Sequence, residues 1–439
     1  MPRTAPSEPT PIWDPAESQS RESLRTVQLE RLRATVAHVL EHQPPLAARL
    51  SEAGIDGAGG AGQIASLDDL PRLPFSGKDD LRSHYPWGLL AVPREQLVRV
   101  HASSGSHGKP TVVGYTRADH EAWTELMARC MTMAGVRPGM LVHNANGYGL
   151  FTGGLGFHQG AERVGATVIP VSGGFTARQA MLLADLGGQV LVSTPSYALV
   201  IAQAVREAGL DPEDLKLELG LFGGEPWTEG MREQIERELG LAAINNYGLS
   251  EMCGPGVATE CLFARDGLHV HEDHFLVEVV DPDSGAPVAE GEEGELVFTT
   301  LAKEALPLIR YCSGDIGSLT TEPCACSRTT ARIRGLRGRL DDMLIIRGVN
   351  LYPSTVERLL LSTEEIAPHY QLIVERPGNM DELTVECEAV ADGFDRARLV
   401  ERLEALLREQ TGIRIAVSVL EPGAIPRSEG KAVRVVDRR

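Results

Sequence analysis

The sequence predicts an α/β fold, with parallel sheets covered by helices, a β-rich subdomain and a compact α+β domain at the C-terminus. Three observations predict it. The chain has 439 residues, more than one hydrophobic core usually organises. Strand-like and helix-like segments alternate from residue 97 onward, as in parallel sheets covered by helices. From residue 275 the pattern changes to hairpin-like strands, and after Arg339 to a mixed α+β series.

The N-terminal part supplies the alternating elements. Apolar residues recur at helical spacing over 22–55 and predict an opening helix. Strand-like runs follow at 98–103, 140–146, 166–173, 189–196 and 217–224, and helix-like segments cover 117–134 and 197–208.

The C-terminal part is richer in predicted strands. Residues 275–301 predict β-hairpins around two turn sequences, at 281–285 and 290–294. After Arg339 the pattern predicts a strand at 343–348, a helix near 353–362, strands near 370–375 and 382–390, a helix at 395–411 and a final strand at 414–420.

Charge and composition narrow the class of protein. The chain has 42 Lys and Arg against 61 Asp and Glu, a formal net charge of −19, which speaks against nucleic acid or an anionic membrane as partner. No run of 18 apolar residues occurs, and the polar, proline-rich N-terminus does not resemble a signal peptide. We therefore expect a cytoplasmic protein. Its seven cysteines are expected to be free thiols or metal ligands.

A loop rich in Ser and Gly at 101–111 follows a predicted strand and is suited to phosphate. Small residues let backbone N–H groups approach phosphate oxygens, and a lysine adds positive charge. It is not the common P-loop, because Pro110 and another strand follow the lysine where that motif has a helix. Taken alone, such a loop is more often an ordinary turn. The candidate contacts are Ser103, Ser104, Gly105 and Lys109.

Five motifs occur in the order HASSGSHGKPTVVGYT, YGLSEMCGPG, YCSGDIG, GRLDDMLIIRGVNLYPSTVE and IPRSEGKAVRVVD. In this order they resemble the adenylate-forming enzymes, and specifically the phenylacetate-CoA ligase family. The resemblance implies a large N-terminal domain of layered sheets and helices over 1–338. A small mobile α+β domain over 339–439 would carry the catalytic lysine. It also implies an enzyme that uses ATP and Mg²⁺ to adenylate a carboxylic acid and then transfers the acyl group to a thiol.

The resemblance also implies a nucleotide site. The backbone of the motif LFGGEPW would form a wall against adenine, where a Cβ would intrude. Tyr247 would stack on the base. Asp315 would accept both ribose hydroxyls, and Arg339 would also contact the nucleotide, although an Asp in this sequence taken singly is more often a turn residue. The remaining implied contacts are Gly223, Gly224, Glu225, Pro226 and Asn246.

Three catalytic residues are implied in the same way: Lys431, Glu251 and Ser250. The Lys431 ammonium would offset the repulsion between the substrate carboxylate and the α-phosphate, and it would stabilise the developing charge. Glu251 would help to hold Mg²⁺, a hard cation that prefers carboxylate and water. Ser250 would lie near the adenylate. Asp341 matches the family's hinge, about which the C-terminal domain rotates after adenylation.

The acid-binding segment is expected at 144–174, by the same resemblance. Tyr148 and Phe151 are candidate contacts for an aromatic ring, although either could be a core aromatic. Phe157 and Gln159 depart from the phenylacetate pattern, and the larger residue at 157 would shorten or redirect the cavity. We therefore expect an aromatic or heteroaromatic acid that carries a hydroxy or amino group, rather than plain phenylacetate.

A structural zinc site is a further hypothesis. Thiolates and imidazoles are the ligands that zinc prefers, and a tetrahedral site needs four of them. Some members of the family with a Cys-x-Cys pair resemble zinc proteins, and the alternative is a set of free thiols. The expected ligands are Cys261, His269, Cys324 and Cys326, with Cys253 and His271 as substitutes.

Three functions remain open on the sequence. The first is a ligase that transfers the acyl group to coenzyme A, and it is the favoured one. The second is a stand-alone adenylating enzyme that loads the phosphopantetheine of a carrier protein. The third is a nucleotide-binding regulator without turnover, which the intact Glu251, Asp315 and Lys431 disfavour. The oligomeric state is open, and a homodimer is compatible with the sequence.

Overall fold

The structure, a computed structural model, describes residues 8–57, 59–103, 110–347, 349–377, 381–391, 393–428 and 430–439, and of Asp341 the backbone only. The helices are α1 (Arg21–His42), α2 (Pro44–Glu52), α3 (Lys78–Ser83), α4 (Arg117–Met133), α5 (Thr152–Val164), α6 (Thr176–Leu186), α7 (Pro195–Glu207), α8 (Glu229–Leu239), α9 (Pro353–Leu361) and α10 (Arg396–Thr411). Short 3-10 helices lie at Pro15–Ser18, Gly60–Gln63, Leu67–Arg72, Arg94–Gln96, Pro212–Asp214 and Leu340–Asp342.

The strands up to residue 300 are β1 (Arg99–Ala102), β2 (Val112–Tyr115), β3 (Leu141–Asn144), β4 (Thr167–Ile169), β5 (Val190–Ser193), β6 (Leu219–Gly223), β7 (Ala242–Leu249), β8 (Gly254–Glu260), β9 (Leu268–Val270), β10 (Phe275–Val280) and β11 (Gly294–Thr300). The later strands are β12 (Tyr311–Thr320), β13 (Arg332–Arg339), β14 (Leu344–Ile346), β15 (Val349–Leu351), β16 (Ile366–Glu375), β17 (Glu382–Ala389), β18 (Ala416–Leu420) and β19 (Val435–Asp437).

One large sheet dominates the N-terminal part, in the order β10-β11-β12-β13-β9-β8-β7-β6-β5-β3-β4. Strands β3 to β7 are mutually parallel where they pair, and the other pairs are antiparallel. The predicted β-rich region is continuous with the parallel part, joined to it by the two residue pairs of β13 and β9. The predicted fold class is confirmed: a large α/β region followed by a small α+β one.

Strand β5 shows why this region folds as layers. All four residues of β5 are buried, and successive side chains point to opposite faces. Val190 and Val192 pack into the core that includes Trp123 of α4, whereas Leu191 packs into the core formed with α6, α7 and α8. A sheet buried on both faces needs apolar strands of this kind. Among the described helices, none combines the length and apolar composition that crossing a membrane requires.

The parallel strands also determine where a ligand can bind. Strands β3, β5, β6 and β7 point the same way, so the loops after their carboxyl ends lie along one edge of the sheet. Ligands of open α/β sheets bind outside this edge. The motifs LFGGEPW and YGLSE begin in the last residues of two such strands, β6 and β7, and continue into the loops that follow.

The C-terminal part has its own sheet, in the order β18-β17-β16-β19, and its own core, which includes Val356, Leu372 and Leu403. The predicted boundary between 338 and 339 stays a prediction. The prediction that 414–420 is the final strand is wrong, because β19 follows and pairs parallel with β16. Three residues are too few to show a pattern in the sequence.

Two further predictions need correction. The opening helix over 22–55 is two helices, because Pro44 has no N–H and begins a new helix after Gln43. The predicted hairpins over 275–301 are one antiparallel pair, β10 with β11. The turn at 281–285 is present, with the Gly285 N–H donating to the Asp281 carbonyl, but 290–293 belong to the connection before β11.

The N-terminal segment 8–20 is fixed to the large domain by a buried ion pair. Arg328 Nε donates to Glu17 Oε2 at 2.6 Å, and the two side chains are 0% and 1% exposed. The backbone N–H of Thr329 donates to the Glu17 carbonyl, and Arg328 also donates to the Pro11 carbonyl. The segment therefore packs as part of the domain.

Replacing Arg328 by Met should lower the free energy of unfolding by about 3–5 kcal/mol, because it leaves the Glu17 carboxylate buried without its partner. Denaturant unfolding of the purified protein measures this. The control is Arg25→Met, which breaks an exposed pair with Asp68 and should cost less than about 1 kcal/mol. Equal losses in the two variants would contradict the assignment.

Candidate active site

The loop after β6 comes close to the backbone of β7. A Cβ on Gly223 would overlap the carbonyl oxygen of Asn246, so only glycine fits there. Gly224 has φ +84°, the left-handed region that favours glycine, and it is exposed. Pro226 is exposed as well. The motif therefore presents bare backbone at the carboxyl edge of the sheet.

Lys431 lies against this loop. A Cβ on Gly224 would be 3.8 Å from the Lys431 Cε. The lysine side chain has exposed surface, yet the protein around its ammonium lowers its pKa by desolvation, and the Glu225 carboxylate opposes that shift. The structure thus brings the C-terminal motif IPRSEGK to the loop LFGGEPW of the large domain.

Strand β7 sends its two candidate nucleotide residues to opposite faces, as strand alternation requires. Asn246 is buried, and its side-chain amide donates to the Thr259 hydroxyl of β8. The Tyr247 hydroxyl donates to Asp315 Oδ2 at 2.5 Å, and its ring stacks on Phe298 with 5.9 Å between centroids. The Tyr247 side chain therefore reaches the site, whereas that of Asn246 points into the core.

Asp315 and Arg339 face each other across strands β12 and β13. They are cross-strand partners, and the closest guanidinium and carboxylate atoms are 4.0 Å apart. Burial raises the pKa of Tyr247, and the neighbouring Asp315 carboxylate raises it further. The Tyr247 hydroxyl therefore stays protonated as a donor to Asp315.

Ser250 and Glu251 occupy the turn after β7. Ser250 is half-buried, and the Glu251 side chain is buried. The turn is held by Lys303, whose ammonium donates to the Glu251 carbonyl at 2.9 Å and to the Met252 carbonyl. Burial lowers the pKa of Lys303 to about 8. The sequence motifs do not indicate this lysine, because its role depends on a turn 51 and 52 residues earlier in the chain.

The Ser- and Gly-rich loop connects β1 and β2, which form an antiparallel hairpin. The Thr111 N–H donates to the Ser103 hydroxyl at 3.1 Å and closes the base of the loop. Ser104, Gly105 and Lys109 lie outside the described residues. Asp341, the candidate hinge, falls in the 3-10 helix Leu340–Asp342 between β13 and β14.

The candidate acid-binding residues lie in different surroundings. Tyr148 is half-buried, and its hydroxyl accepts from the Asn144 amide at 2.9 Å. Phe151 is 47% exposed, whereas Phe157 is 4% exposed and belongs to the main core. Gln159 is buried and accepts from Arg99 at 2.7 Å. Tyr148 and Phe151 are thus partly accessible from the surface, whereas Phe157 and Gln159 are buried.

The four residues expected to hold zinc do come together. Their ligand atoms all lie within 4.8 Å of one another, and all four residues are buried. The thiols of Cys261 and Cys324 are 3.8 Å apart, and Cys326 Sγ lies 3.4 Å from His269 Nε2. The proposed substitutes lie elsewhere: His271 contacts Cys130, and Cys253 faces the carbonyls of the next two residues. The predicted proximity of the CxC pair to His269 and Cys261 is therefore confirmed.

Comparison with known proteins places this fold and site in a class. The family model of AMP-binding enzymes matches residues 37–301, and that of the AMP-binding enzyme C-terminal domain matches 348–439. The chain is 51% identical to the phenylacetate-coenzyme A ligase of Thermus thermophilus, over 96% of this chain and 98% of that protein. The Escherichia coli phenylacetate-coenzyme A ligase is 46% identical, over 97% of each chain.

Solved structures of 2-hydroxyisobutyryl-CoA ligase are also similar. In the postadenylation state with 2-HIB-AMP, that ligase gives a TM-score of 0.90 at 30% identity, over 97% of this chain and 92% of that one. In the thioesterification state with 2-HIB-AMP and CoA, it gives 0.72 at 31% identity, over 96% and 91%. The domain arrangement of this chain therefore matches the first state more closely.

The fold and these comparisons define an adenylate-forming enzyme, in which Lys431 of the C-terminal domain lies beside the carboxyl edge of the large sheet. Within that class, the chain belongs to the phenylacetate-CoA ligase family. It is an AMP-forming acid–thiol ligase.

Replacing Gly223 by Ala should lower the free energy of unfolding by about 1–3 kcal/mol, because the new methyl group pushes β6 away from the Asn246 carbonyl. Denaturant unfolding measures this, with Gly149→Ala as the control, since a Cβ there meets nothing within 4 Å. A stable Gly223→Ala variant would mean that the strands do not approach this closely.

Proposed function

We propose that the protein activates an aromatic carboxylic acid with ATP and transfers the acyl group to coenzyme A. One observation carries the proposal: Lys431 lies at Gly224, on the edge where Glu225, Asp315 and Arg339 also lie. A cation at this place serves a reaction between two anions. The identity of 51% and 46% with phenylacetate-coenzyme A ligases supports the aromatic acid and the CoA acceptor.

The nucleotide would lie against the exposed backbone of the loop after β6. Adenine would contact Gly224 and Pro226 and stack near Tyr247, and the ribose hydroxyls would donate to Asp315. The existing bond from Tyr247 to Asp315 supports this role, because it fixes the carboxylate before ribose binds. Glu251, buried in its turn, would be the carboxylate ligand of Mg²⁺, which supplies charge compensation on the phosphates.

In the first half-reaction a carboxylate oxygen of the acid attacks the α-phosphorus of ATP, the bond to the bridging oxygen breaks, and pyrophosphate leaves. Lys431 stabilises the charge that develops on the α-phosphate oxygens. In the second, the thiolate of coenzyme A attacks the acyl carbonyl carbon, and AMP leaves with the electron pair of the broken acyl–oxygen bond. The proposed hinge at Asp341 lets the C-terminal domain rotate between the two.

The ring of the acid would contact the 148–159 region. Phe157, buried at 4% exposure, would close one side, and the Tyr148 hydroxyl, which Asn144 and His158 orient, would face a ring substituent. This arrangement supports a hydroxy- or amino-substituted acid over plain phenylacetate. Loading of a carrier protein stays an alternative for the second half-reaction, since both acceptors end in the same pantetheine thiol.

An acid-dependent ATP–pyrophosphate exchange assay tests the proposal. The panel comprises phenylacetate, its 2-, 3- and 4-hydroxy and amino derivatives, benzoates and 2-hydroxyisobutyrate. We expect exchange with aromatic acids, and a thioester when CoA is added. No exchange with any acid, in protein that binds ATP, would leave only the non-catalytic regulator.

Lys431→Ala should reduce pyrophosphate exchange by at least about 100-fold, while transfer from preformed acyl-adenylate to CoA stays within about twofold. Because desolvation lowers the pKa of Lys431, the exchange activity of the wild-type enzyme should decline, as the pH rises, at a lower pH than the usual lysine pKa would give. Lys216→Ala, at an exposed lysine, is the control and should leave both half-reactions unchanged. Equal losses in the two half-reactions would contradict the assignment.

We also propose that Cys261, His269, Cys324 and Cys326 hold a structural zinc ion. Tetrahedral zinc with thiolates at about 2.3 Å separates two sulfurs by about 3.8 Å and a sulfur from an imidazole nitrogen by about 3.5 Å. The distances of 3.8 and 3.4 Å support this geometry. His269 Nδ1 lies 3.2 Å from the Thr330 hydroxyl, a contact that would orient the ring. The ion would join the turn after β8 to the loop before β13.

Protein purified without a His-tag should contain about one zinc per chain. Cys324→Ser should lower both the zinc content and the thermal midpoint, because three ligands hold the ion less tightly. Cys312→Ser, at a half-buried thiol outside the cluster, should leave the zinc content unchanged. Metal-free protein of full stability would contradict the site.

A further inference from the structure

The carboxylate of Glu225 joins the two domains. The Ser196 N–H of the large domain donates to Glu225 Oε1 at 2.7 Å, and the Ala432 N–H of the C-terminal domain donates to Glu225 Oε2 at 2.8 Å. We call these two hydrogen bonds the Glu225 bridge. Both donors are backbone groups, and Ala432 follows Lys431 directly. The bridge therefore acts on the backbone that carries the lysine.

The large-domain end of the bridge is rigid. Ser196 lies in the first turn of α7, whose N-terminal cap is the Thr194 hydroxyl. Carboxylates are stabilised at the N-terminus of a helix, where N–H groups lack partners within the helix. Glu225 follows Gly224, whose left-handed conformation sets the direction of the chain at this point. One oxygen is thus anchored, and the other is held toward the C-terminal domain.

Contacts on both sides of Lys431 have the same effect. The Thr194 hydroxyl donates to the Gly430 carbonyl at 3.0 Å, and Arg434 donates to the Ser196 hydroxyl at 3.3 Å. With the bridge, backbone or side-chain groups of residues 430, 432 and 434 are all bonded to 194–196 or Glu225. Lys431 is therefore held on both sides while its own side chain extends toward Gly224.

We infer that Glu225 is a positioning residue of adenylation, which holds Lys431 at the nucleotide edge through Ala432 and releases it when the C-terminal domain rotates. The inference rests on the proposed function. It differs from the nucleotide contact that the sequence predicts for Glu225, because both carboxylate oxygens already accept backbone hydrogen bonds. The match to the postadenylation state, with a TM-score of 0.90 against 0.72 for the thioesterification state, supports a role on the adenylation side.

Glu225 also contributes to the charge environment of Lys431. The charged groups that face the ammonium are Glu225 after β6, Asp315 on β12, Arg339 on β13 and Asp342 in the 3-10 helix. Desolvation lowers the pKa of Lys431, and the Glu225 carboxylate raises it. Loss of the Glu225 carboxylate would therefore lower the pKa of Lys431 further. Lys431 would then lose its proton, and its effect on the α-phosphate, at a lower pH.

The test compares Glu225→Ala and Glu225→Gln with Glu233→Gln, which alters an exposed glutamate of α8. Amide hydrogen exchange is measured first, on the full-length protein without substrates. We expect faster exchange in the Glu225 variants, in the peptide that contains Ala432 and in the first turn of α7, and no change in Glu233→Gln. Unchanged exchange at Ala432 would overturn the bridge, whatever reaction the protein catalyses.

The half-reactions are then measured with the acid of the panel that gives the fastest exchange and with its acyl-adenylate. Loss of a charge-assisted hydrogen bond should lower the kcat of pyrophosphate exchange roughly tenfold or more, with the KM for ATP within about twofold. Its alkaline limb should move to lower pH in Glu225→Gln. Transfer to CoA should be unchanged. A raised KM for ATP with unchanged kcat would make Glu225 a nucleotide ligand, and equal losses in both half-reactions would make it a residue of the fold. Wild-type protein that is inactive with every acid of the panel would refute the proposed function, not the bridge.

Discussion

Strand β6 can approach the carboxyl end of β7 only because Gly223 has no side chain, and the rest of the site depends on this approach. It allows Gly224 to turn in the left-handed region and leaves bare backbone beside Lys431. The same turn directs Glu225 toward α7 and the C-terminal domain. On the next strand, Tyr247 reaches Asp315 because alternation sends Asn246 into the core. One close contact between two strands thus arranges groups from three parts of the chain.

The site contains two pairs of oppositely charged side chains. Arg339 faces Asp315 across two strands, and Lys431 is beside Glu225. The chain has a net charge of −19, which repels an anionic nucleotide and an anionic acid. Cations that are fixed close to these ligands would offset that repulsion locally. Glu225 and Asp315 oppose the desolvation that lowers the pKa of Lys431. In the proposed reaction these fixed charges would stabilise the transition state without the reorganisation that water molecules would need.

The sequence predicted most of what depends on local pattern and motif. The parallel strands and helices α4 and α7 follow from spacing. The meeting of Cys261, His269, Cys324 and Cys326 follows from the resemblance to family members with a Cys-x-Cys pair. The sequence missed β19, the break at Pro44 and the single β10–β11 hairpin. The sequence also did not predict the contact of Lys303 with the Glu251 turn or the two backbone partners of Glu225. Hydrogen bonds from a side chain to a distant backbone group cannot be predicted from residue types, because every residue except proline has the same backbone N–H.

Burial decides which contacts of this molecule are permanent and which are reversible. The Glu17–Arg328 pair has essentially no exposed surface, so opening it would leave charges without water, and the N-terminal segment stays fixed. Glu225 also accepts two hydrogen bonds, but it is half-buried, and water can replace each donor as the domain leaves. The rotation that we propose for the C-terminal domain requires contacts whose net free energy is small. The two hydrogen bonds of the Glu225 bridge have that property, whereas a contact as buried as the Glu17–Arg328 pair would hold Lys431 in one position and slow the proposed transfer to the thiol.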